Sequence, residues 1–509
     1  MQGTKICLLA GGLWLAVAGG NAQAEALQPD PAWQQGKLDN GFTWQLLATP
    51  QRPGDRIELR LVVNAGSLVE SAQQTGFAHF LPRLALTHSE HFTATQLSAL
   101  WPPENGLAPP PAIASYDFTQ YNLSLPNNRP ELLKEALNWL VETAGQLPIE
   151  QGNIQAALGG PDRVEAWPAN PQDPWWRYRL KGSTLLAHDP SLSIKAPVDA
   201  QQLQQFYKSW YTPDAMTLYV VGHVDSRAVT DMISKRFSAL SGQRDAPAPV
   251  PTLSPLLPHP ISLMNENLKQ STLSLVWDSP WQPIRESHAL VRYWQSDLAR
   301  EALFWHMQQS LAKNQQKGSN LRFDCNVLYT RAQCAIHLDM NHSQIQPGLT
   351  FLARELVNLR DNGLAQQEFD ALIARKNDEL SKLFTTYART STDILIRQRM
   401  RSQQNGVVDI APEQYQQLRQ VFLSGLTPNM LNQALQQQLA QDATLLLLQP
   451  QGEPEVDMKA LQDQYRKIMT PDPAGAAPTP EAPDATDTPE AAGDTPPPAQ
   501  PAGPEASAP

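Results

Sequence analysis

Cysteine is almost missing from this 509-residue chain, which has three: Cys7, Cys325 and Cys334. None has a CxxC neighbour, which excludes the common thiolate metal sites and redox motifs. Charge is sparse as well. Asp, Glu, Lys and Arg make up 17% of the residues, on the low side for a soluble protein. The net charge is −11, of which residues 471–509 contribute −7 and Lys5 +1, leaving −5 on residues 6–470. No basic stripe is present to neutralise phosphates, so nucleic acid is excluded as a dominant partner. Long apolar runs are lacking. Only Ile6 to Gly19, 14 residues, is continuously apolar, and that is short for a bilayer span. No transmembrane segment is therefore expected.

What the chain does have is apolar material, at 41%, and a length that suggests two or three domains. Lys5, the apolar stretch and Ala22-Gln23-Ala24 together read as a signal peptide cut after Ala24. The mature protein is then exported, which in a Gram-negative cell means the periplasm. Cys7 leaves with the leader. Cys325 and Cys334 lie in an alternating stretch, Phe323 to Leu338, that reads as a hairpin. A turn at Tyr329 and Thr330 places the two thiols opposite each other. They either bond, as an oxidising compartment permits, or remain two buried thiols.

Proline is abundant, at 45 residues, and its clusters divide the chain. Residues 471–509 hold twelve prolines, seven acids and little to bury, and read as a disordered acidic tail. Pro247, Pro249, Pro251, Pro255, Pro258 and Pro260 mark an extended linker over 247–260. It separates a domain at 30–246 from one at 261–470. The two halves look like distant repeats. Each opens on a strand-like run, Arg56–Val63 or Ser271–Trp277, and closes on another, Met216–Gly222 or Ala443–Leu448. Helical periods lie between: Leu290, Trp294, Leu298 and Ala302 on one face, and Phe369, Leu372, Ile373, Leu380, Leu383 and Phe384 on another. Strands at both ends with helices between predict an α+β layer, used twice.

The segment from Asn64 to Arg83, NAGSLVESAQQTGFAHFLPR, runs from a strand through a glycine turn into a helix. It resembles the start of the insulinase/pitrilysin family of zinc peptidases, whose pattern is roughly AGS-x-x-E followed by G-x-A-H-F-L-E-H. Ser115–Tyr121 and Phe206–Asp225 resemble two further family segments in the right order. The resemblance spans residues 34–465. It implies two homologous domains, each with helices on a mainly antiparallel sheet, forming a clam-like shell.

The family's chemistry does not carry over. It needs two histidines at i and i+4 on one helix face to hold Zn²⁺, and a Glu before the second as the base. Here the motif reads His79-Phe80-Leu81-Pro82-Arg83. Proline is neither acid nor base, and a guanidinium has no lone pair for a metal. Pro82 also removes a helix hydrogen bond to Ala78, at about 3 kcal/mol in an interior position. The third family ligand, a Glu about 77 residues on, falls by simple counting on Gly160; Glu165 is the nearest downstream Glu. The family's substrate-binding Asn aligns with Pro111, beside Pro109 and Pro110.

Other groups are bland. His79 and His88 would lie about 13.5 Å apart along a helix, too far to share a metal. His88 and His91 read as a polar loop, His188 as a loop landmark, and His306 as a packing residue in an aromatic-rich helix. The expectation is a peptidase homologue without catalytic residues and without zinc, retaining only a vestigial His79. Its partners would be a peptide or protein ligand, including an active homologous peptidase subunit. The competing readings are an active metalloendopeptidase rearranged around His79, His88, His91 and Glu165, and a scaffolding protein.

Overall fold

The computed structural model describes residues 25–101, 109–127, 129–168, 170, 172–194, 197–313 and 319–470. The expected leader, its cut after Ala24 and the acidic tail lie outside the described residues. No helix among the described residues is long and apolar enough to cross a membrane.

The first half contains β1 (Trp33–Lys37), β2 (Thr43–Ala48), β3 (Ile57–Val63), α1 (Phe77–Thr87), α2 (Ala94–Ala99), β4 (Ala112–Ala114), β5 (Thr119–Leu125), α3 (Pro130–Gly145), α4 (Gln151–Gly159), β6 (Val164–Ala166), α5 (Pro174–Arg179), α6 (Ala200–Trp210), β7 (Met216–Gly222) and α7 (Ser226–Phe237). The second contains β8 (Ile261–Asn265), β9 (Ser271–Pro280), α8 (Ser287–Lys313), β10 (Asn320–Leu328), β11 (Arg331–Met340), α9 (Ile345–Asn362), α10 (Gln366–Ser381), α11 (Leu383–Arg389), α12 (Thr392–Gln404), α13 (Pro412–Gly425), α14 (Pro428–Leu439), β12 (Thr444–Pro450) and α15 (Met458–Met469).

Each half folds as helices on a mainly antiparallel sheet. The first sheet has the order β1-β2-β7-β3-β5-β4-β6, the second β10-β11-β9-β12-β8. One plan underlies both. The halves do not open on the runs at 56–63 and 271–277, which are β3 and β9: in each, an earlier strand runs parallel to the closing strand (β2 with β7, β8 with β12). The closing strand is antiparallel to the next (β7 with β3, β12 with β9), and two antiparallel neighbours complete the unit. The repeat seen in the apolar runs is thus a repeat of topology. The first sheet carries two additions, β1 at one edge and β6 at the other.

Alternation along the strands sorts residues between two faces. On β3, Ile57, Leu59, Leu61 and Val63 join the helix-side core, while Val62 joins a separate cluster on the opposite face. That opposite face is covered by the other half. Leu395, Ile396 and Met400 of α12 pack on Leu47, Val62, Tyr219 and Val221. Arg60 Nη2 meets Asp393 Oδ1 at 3.0 Å, and Arg399 Nε donates to Gln45 Oε1 at 2.7 Å. The converse also holds. Trp175 and Tyr178 of α5 pack on Ile261, Val276, Ala335 and Leu446 of the second sheet. Arg179 pairs there with Asp278 at 3.4 Å, both nearly buried. The halves therefore face each other through their sheets, clam-like, each holding the other with a helix.

The 247–260 segment has no regular secondary structure but is not free. Thr252 and Ser254 carbonyls accept from Ser183 Oγ and Arg179 Nη1, and Leu253 is buried. One helix expectation needs correction. The apolar period from Phe369 to Phe384 does not belong to one helix: α10 ends at Ser381 and α11 begins at Leu383. Phe384 is consequently exposed.

Candidate functional site

The loop before α1 is built for a tight approach. Gly66 lies against the backbone of Ser115 and Tyr116, with no room for a Cβ. Gly76, at φ 90°, starts the helix in the left-handed region, and a Cβ there would sit 2.6 Å from Ile194 N. Glu70 caps the helix: its carboxylate accepts from Gly76 N at 3.0 Å and Ala78 N at 2.7 Å. The helix dipole and these donors favour its charge, but burial outweighs them and raises its pKa from 4.5 to about 7.

Helix α1 runs unbroken from Phe77 to Thr87 with Pro82 inside it. The disturbance expected from the proline stays local, because both flanking turns are packed: Phe80, Leu81 and Leu84 are buried in the core. His79 faces two acceptors. Its Nδ1 donates to Pro190 O at 3.0 Å, and its Nε2 lies 3.0 Å from Asp162 Oδ2. One turn on, Arg83 Nη2 donates to Leu158 O at 2.9 Å and Gly160 O at 2.6 Å. Arg83 Nη1 is 3.6 Å from Asp162 Oδ2. Burial would push the Asp162 carboxyl up, but the His79 bond, the Val164 amide and the nearby His79 and Arg83 side chains hold it below the usual range.

The residues present do not fit a zinc ion. The metal would need the His79 Nε2 lone pair, and that nitrogen is turned to a carboxylate. The position one turn on offers a cation that bonds α4's last carbonyls. Among the described residues no group of three or more His, Cys, Asp or Glu is placed to hold a metal ion.

Glu165 does not join this cluster. It lies on β6 between Val164 and Ala166 and is exposed. Val164 belongs to the core that α1 packs on, so alternation sends the Glu165 side chain to the opposite face. The carboxylate that does reach His79 is Asp162, which the sequence reading missed. The signal was weak: counting ended at Gly160, two residues short. Pro111 stands just before β4, where its carbonyl accepts from Asn122 N at 2.8 Å.

His88 and His91 also stay apart from His79. His88 Nδ1 contacts Thr87 Oγ1 at 3.1 Å, and His91 Nδ1 contacts buried Glu142 at 3.0 Å. His188 clamps the loop before α1: its Nδ1 donates to Ser67 O at 2.9 Å, and Ser67 Oγ donates to His188 O at 2.6 Å. His306 is not a packing residue. It bridges Glu368 at 2.8 Å and Glu355 at 3.2 Å, tying α8 to α10 and α9.

A Ser-His-Asp row is present among the described residues, with Ser274 Oγ 2.7 Å from His337 Nδ1 and His337 Nε2 3.0 Å from Asp324. Ser274 is fully buried in mid-strand and Asp324 is the exposed end, the reverse of what a nucleophile requires. Cys325 and Cys334 are register partners on β10 and β11 and are joined by a disulfide. The turn residues Tyr329 (φ 47°) and Thr330 (φ 68°) close that hairpin.

Comparison with known proteins agrees with this fold. Residues 46–170 match the family model "Insulinase (Peptidase family M16)", and residues 197–376 match "Peptidase M16 inactive domain". Protein YhjJ of Salmonella typhimurium is 59% identical over 486 residues, covering 95% of this chain and 98% of that protein. The structure titled a predicted insulinase family protease from Yersinia pestis is 64% identical with a TM-score of 0.87, covering 91% of this chain and all of the other. The periplasmic protease PqqL from Escherichia coli superposes with a TM-score of 0.74 at 20% identity, covering 89% of this chain. This chain spans 52% of PqqL.

Proposed function

Because the chain belongs to the insulinase (M16) family of peptidases, we propose that it is a member that has exchanged peptide hydrolysis for binding of a peptide or protein, including an active peptidase relative. The observation that carries this reading is Arg83. Its guanidinium stands one turn from His79 and makes two short bonds to the Leu158 and Gly160 carbonyls. A water-activating zinc would have to displace a cation that is already bonded. Pro82, in the place of the base, has nothing with which to take a proton from water.

What remains suits binding. A sheet edge can accept an extended segment through backbone bonds alone, with no catalytic group involved. Export to the periplasm is part of the proposal. It is supported by the leader-like first 24 residues, by a disulfide in the folded chain and by the compartment named for PqqL.

The test pairs metal analysis of the purified protein with a cleavage assay on an unstructured polypeptide. Substoichiometric zinc and no cleavage are expected. Chelator-sensitive turnover by the unaltered protein would overturn the proposal. Pull-down from a periplasmic extract should recover peptides or a peptidase; a protein that recovers neither is a scaffold.

A further inference from the structure

The hairpin of β10 and β11 ends in a tip that its own residues do not favour. Tyr329 at φ 47° and Thr330 at φ 68° both stand in the left-handed region. Two-residue turns of that kind ordinarily take Asn and Gly, and a β-branched residue there is an outlier. Such backbone persists only where its surroundings impose it. Two constraints do so here. One is the disulfide, which joins Cys325 to Cys334 at the fourth register pair from the turn. The other lies in the first half.

Leu328 and Tyr329 pack on a first-half cluster that includes Leu68, Tyr116, Trp176 and Leu185. The Tyr329 ring lies 5.9 Å from Tyr116, 6.1 Å from Trp167 and 6.3 Å from Trp176. Its hydroxyl is buried with no hydrogen-bond partner among the described residues, so it is the ring that seats the tip. This socket backs the loop before α1. Ser67 N and Leu68 N donate to the carbonyls of Ser115 and Tyr116, each at 2.9 Å. The same loop carries Glu70 to the start of α1. A tip from the second half thus props the loop of the altered site.

The disulfide is placed to govern that prop. Strand β11 is held on both sides, by β9 and β10, and Trp281 N donates to Thr330 O at 2.8 Å. Strand β10 has only β11 beside it among the described residues. Without the covalent tie, the Tyr329 side of the turn hangs on an edge strand. Both cysteines are partly exposed, so a reductant can reach the sulfurs.

We propose that Cys325–Cys334 is a thiol–disulfide exchange site whose oxidation state sets whether Tyr329 stays seated against the loop before α1. The reductant is a dithiol. Its thiolate attacks one sulfur, the Cys325–Cys334 bond breaks and a mixed disulfide forms. The second thiol then closes the reductant's own disulfide and releases the cysteine. Two electrons and two protons pass to the chain, which ends with two thiols. The proposal does not depend on peptide binding.

The test treats the oxidised chain with dithiothreitol in the absence of denaturant. Thiols are counted with Ellman's reagent, and hydrogen exchange is followed by mass spectrometry over residues 64–70. Tyr329→Ala empties the socket with the disulfide intact, and Tyr329→Phe keeps the ring. Reduction is expected to add two thiols and to speed exchange over 64–70 at least tenfold. Oxidised Tyr329→Ala should exchange as fast as the reduced chain and gain less than twofold on its own reduction. Oxidised Tyr329→Phe should match the unaltered oxidised chain. Failure to gain thiols overturns the exchange site. Two new thiols with unchanged exchange over 64–70 overturns the coupling, as does unchanged exchange in Tyr329→Ala. A tenfold further gain when Tyr329→Ala is reduced also overturns it, because the disulfide then acts by a route other than the tip. The reduced unaltered chain carries no substitution, so the result does not hang on one variant folding.

Discussion

Arg83 is a vestige if it fills space, and a structural cation if it holds α1 to the end of α4. Arg83→Leu separates the two. The aliphatic stem is retained, so packing changes little, and the side chain is only 12% exposed. The variant loses two charge-assisted bonds, at 2.9 and 2.6 Å, and the attraction of Asp162. Each such bond contributes about 1.5–3 kcal/mol. Leu158 and Gly160 are partly exposed, so water can reach this segment, which favours the low end. A loss of about 3 kcal/mol results. For a half of this size that lowers the melting temperature by about 6–12 °C. Arg83→Lys should recover less than half of it, because an ammonium cannot span two carbonyls as a planar fork does. The assay is calorimetric melting with chelator present. A shift below about 1 °C for Arg83→Leu would refute the structural role.

Cys325→Ser/Cys334→Ser opens a loop whose ends are nine residues apart in sequence. The chain-entropy model gives about 2.5–3 kcal/mol, and an unchanged urea midpoint would show that the hairpin is held by its ladder alone. Glu70 gives a pH dependence. Its folded pKa, about 7, is raised above 4.5, so between those values the unfolded chain gives up its proton first. Its stabilising contribution is full below about pH 4.5 and is lost as pH rises through 7, by at most about 3 kcal/mol. Asp117, raised by burial to about 6, acts with the same sign. Urea midpoints at pH 5 and 8 should differ less in Glu70→Gln than in the unaltered chain; an equal difference removes Glu70 as the cause.

Some of this was legible in the sequence and some was not, for physical reasons. The runs at Ile57–Val63, Ser271–Trp277, Met216–Gly222 and Thr444–Leu448 are covered on both faces, so they are apolar enough to be recognised as strands. The exchange of base and ligand for Pro82 and Arg83 shows directly, because a helix fixes the spacing of its residues. Asp162 was hidden because it approaches His79 from a loop, where spacing fixes nothing. Strand β6 was hidden because Val-Glu-Ala is too short for alternation to register. The placement of α12 on the opposite half's sheet is a long-range event that leaves only an amphipathic pattern in its own residues. His306 seemed apolar by its aromatic neighbours, although its carboxylate partners lie 49 and 62 residues away.

The replaced site is not a site from which groups have simply dropped out. Losing an imidazole and a carboxylate by decay would leave buried polar groups facing nothing. Here Arg83 and Asp162 satisfy each other and their neighbours, and only the Arg83 Nε is left buried without a partner. This complementarity makes restoration a sharp test. Pro82→Glu/Arg83→His places a second imidazole one turn from His79, and Asp162 already lies 3.0 Å from the His79 Nε2. Two imidazoles and a carboxylate are a sufficient tetrahedral donor set with one position open to water. The double variant is therefore expected to take up zinc in equilibrium dialysis, with Asp162 and not Glu165 as the third donor. Adding Asp162→Ala should abolish that uptake, while adding Glu165→Ala should leave it unchanged. If Glu165→Ala is the substitution that removes zinc, the 160–166 segment must refold around the metal.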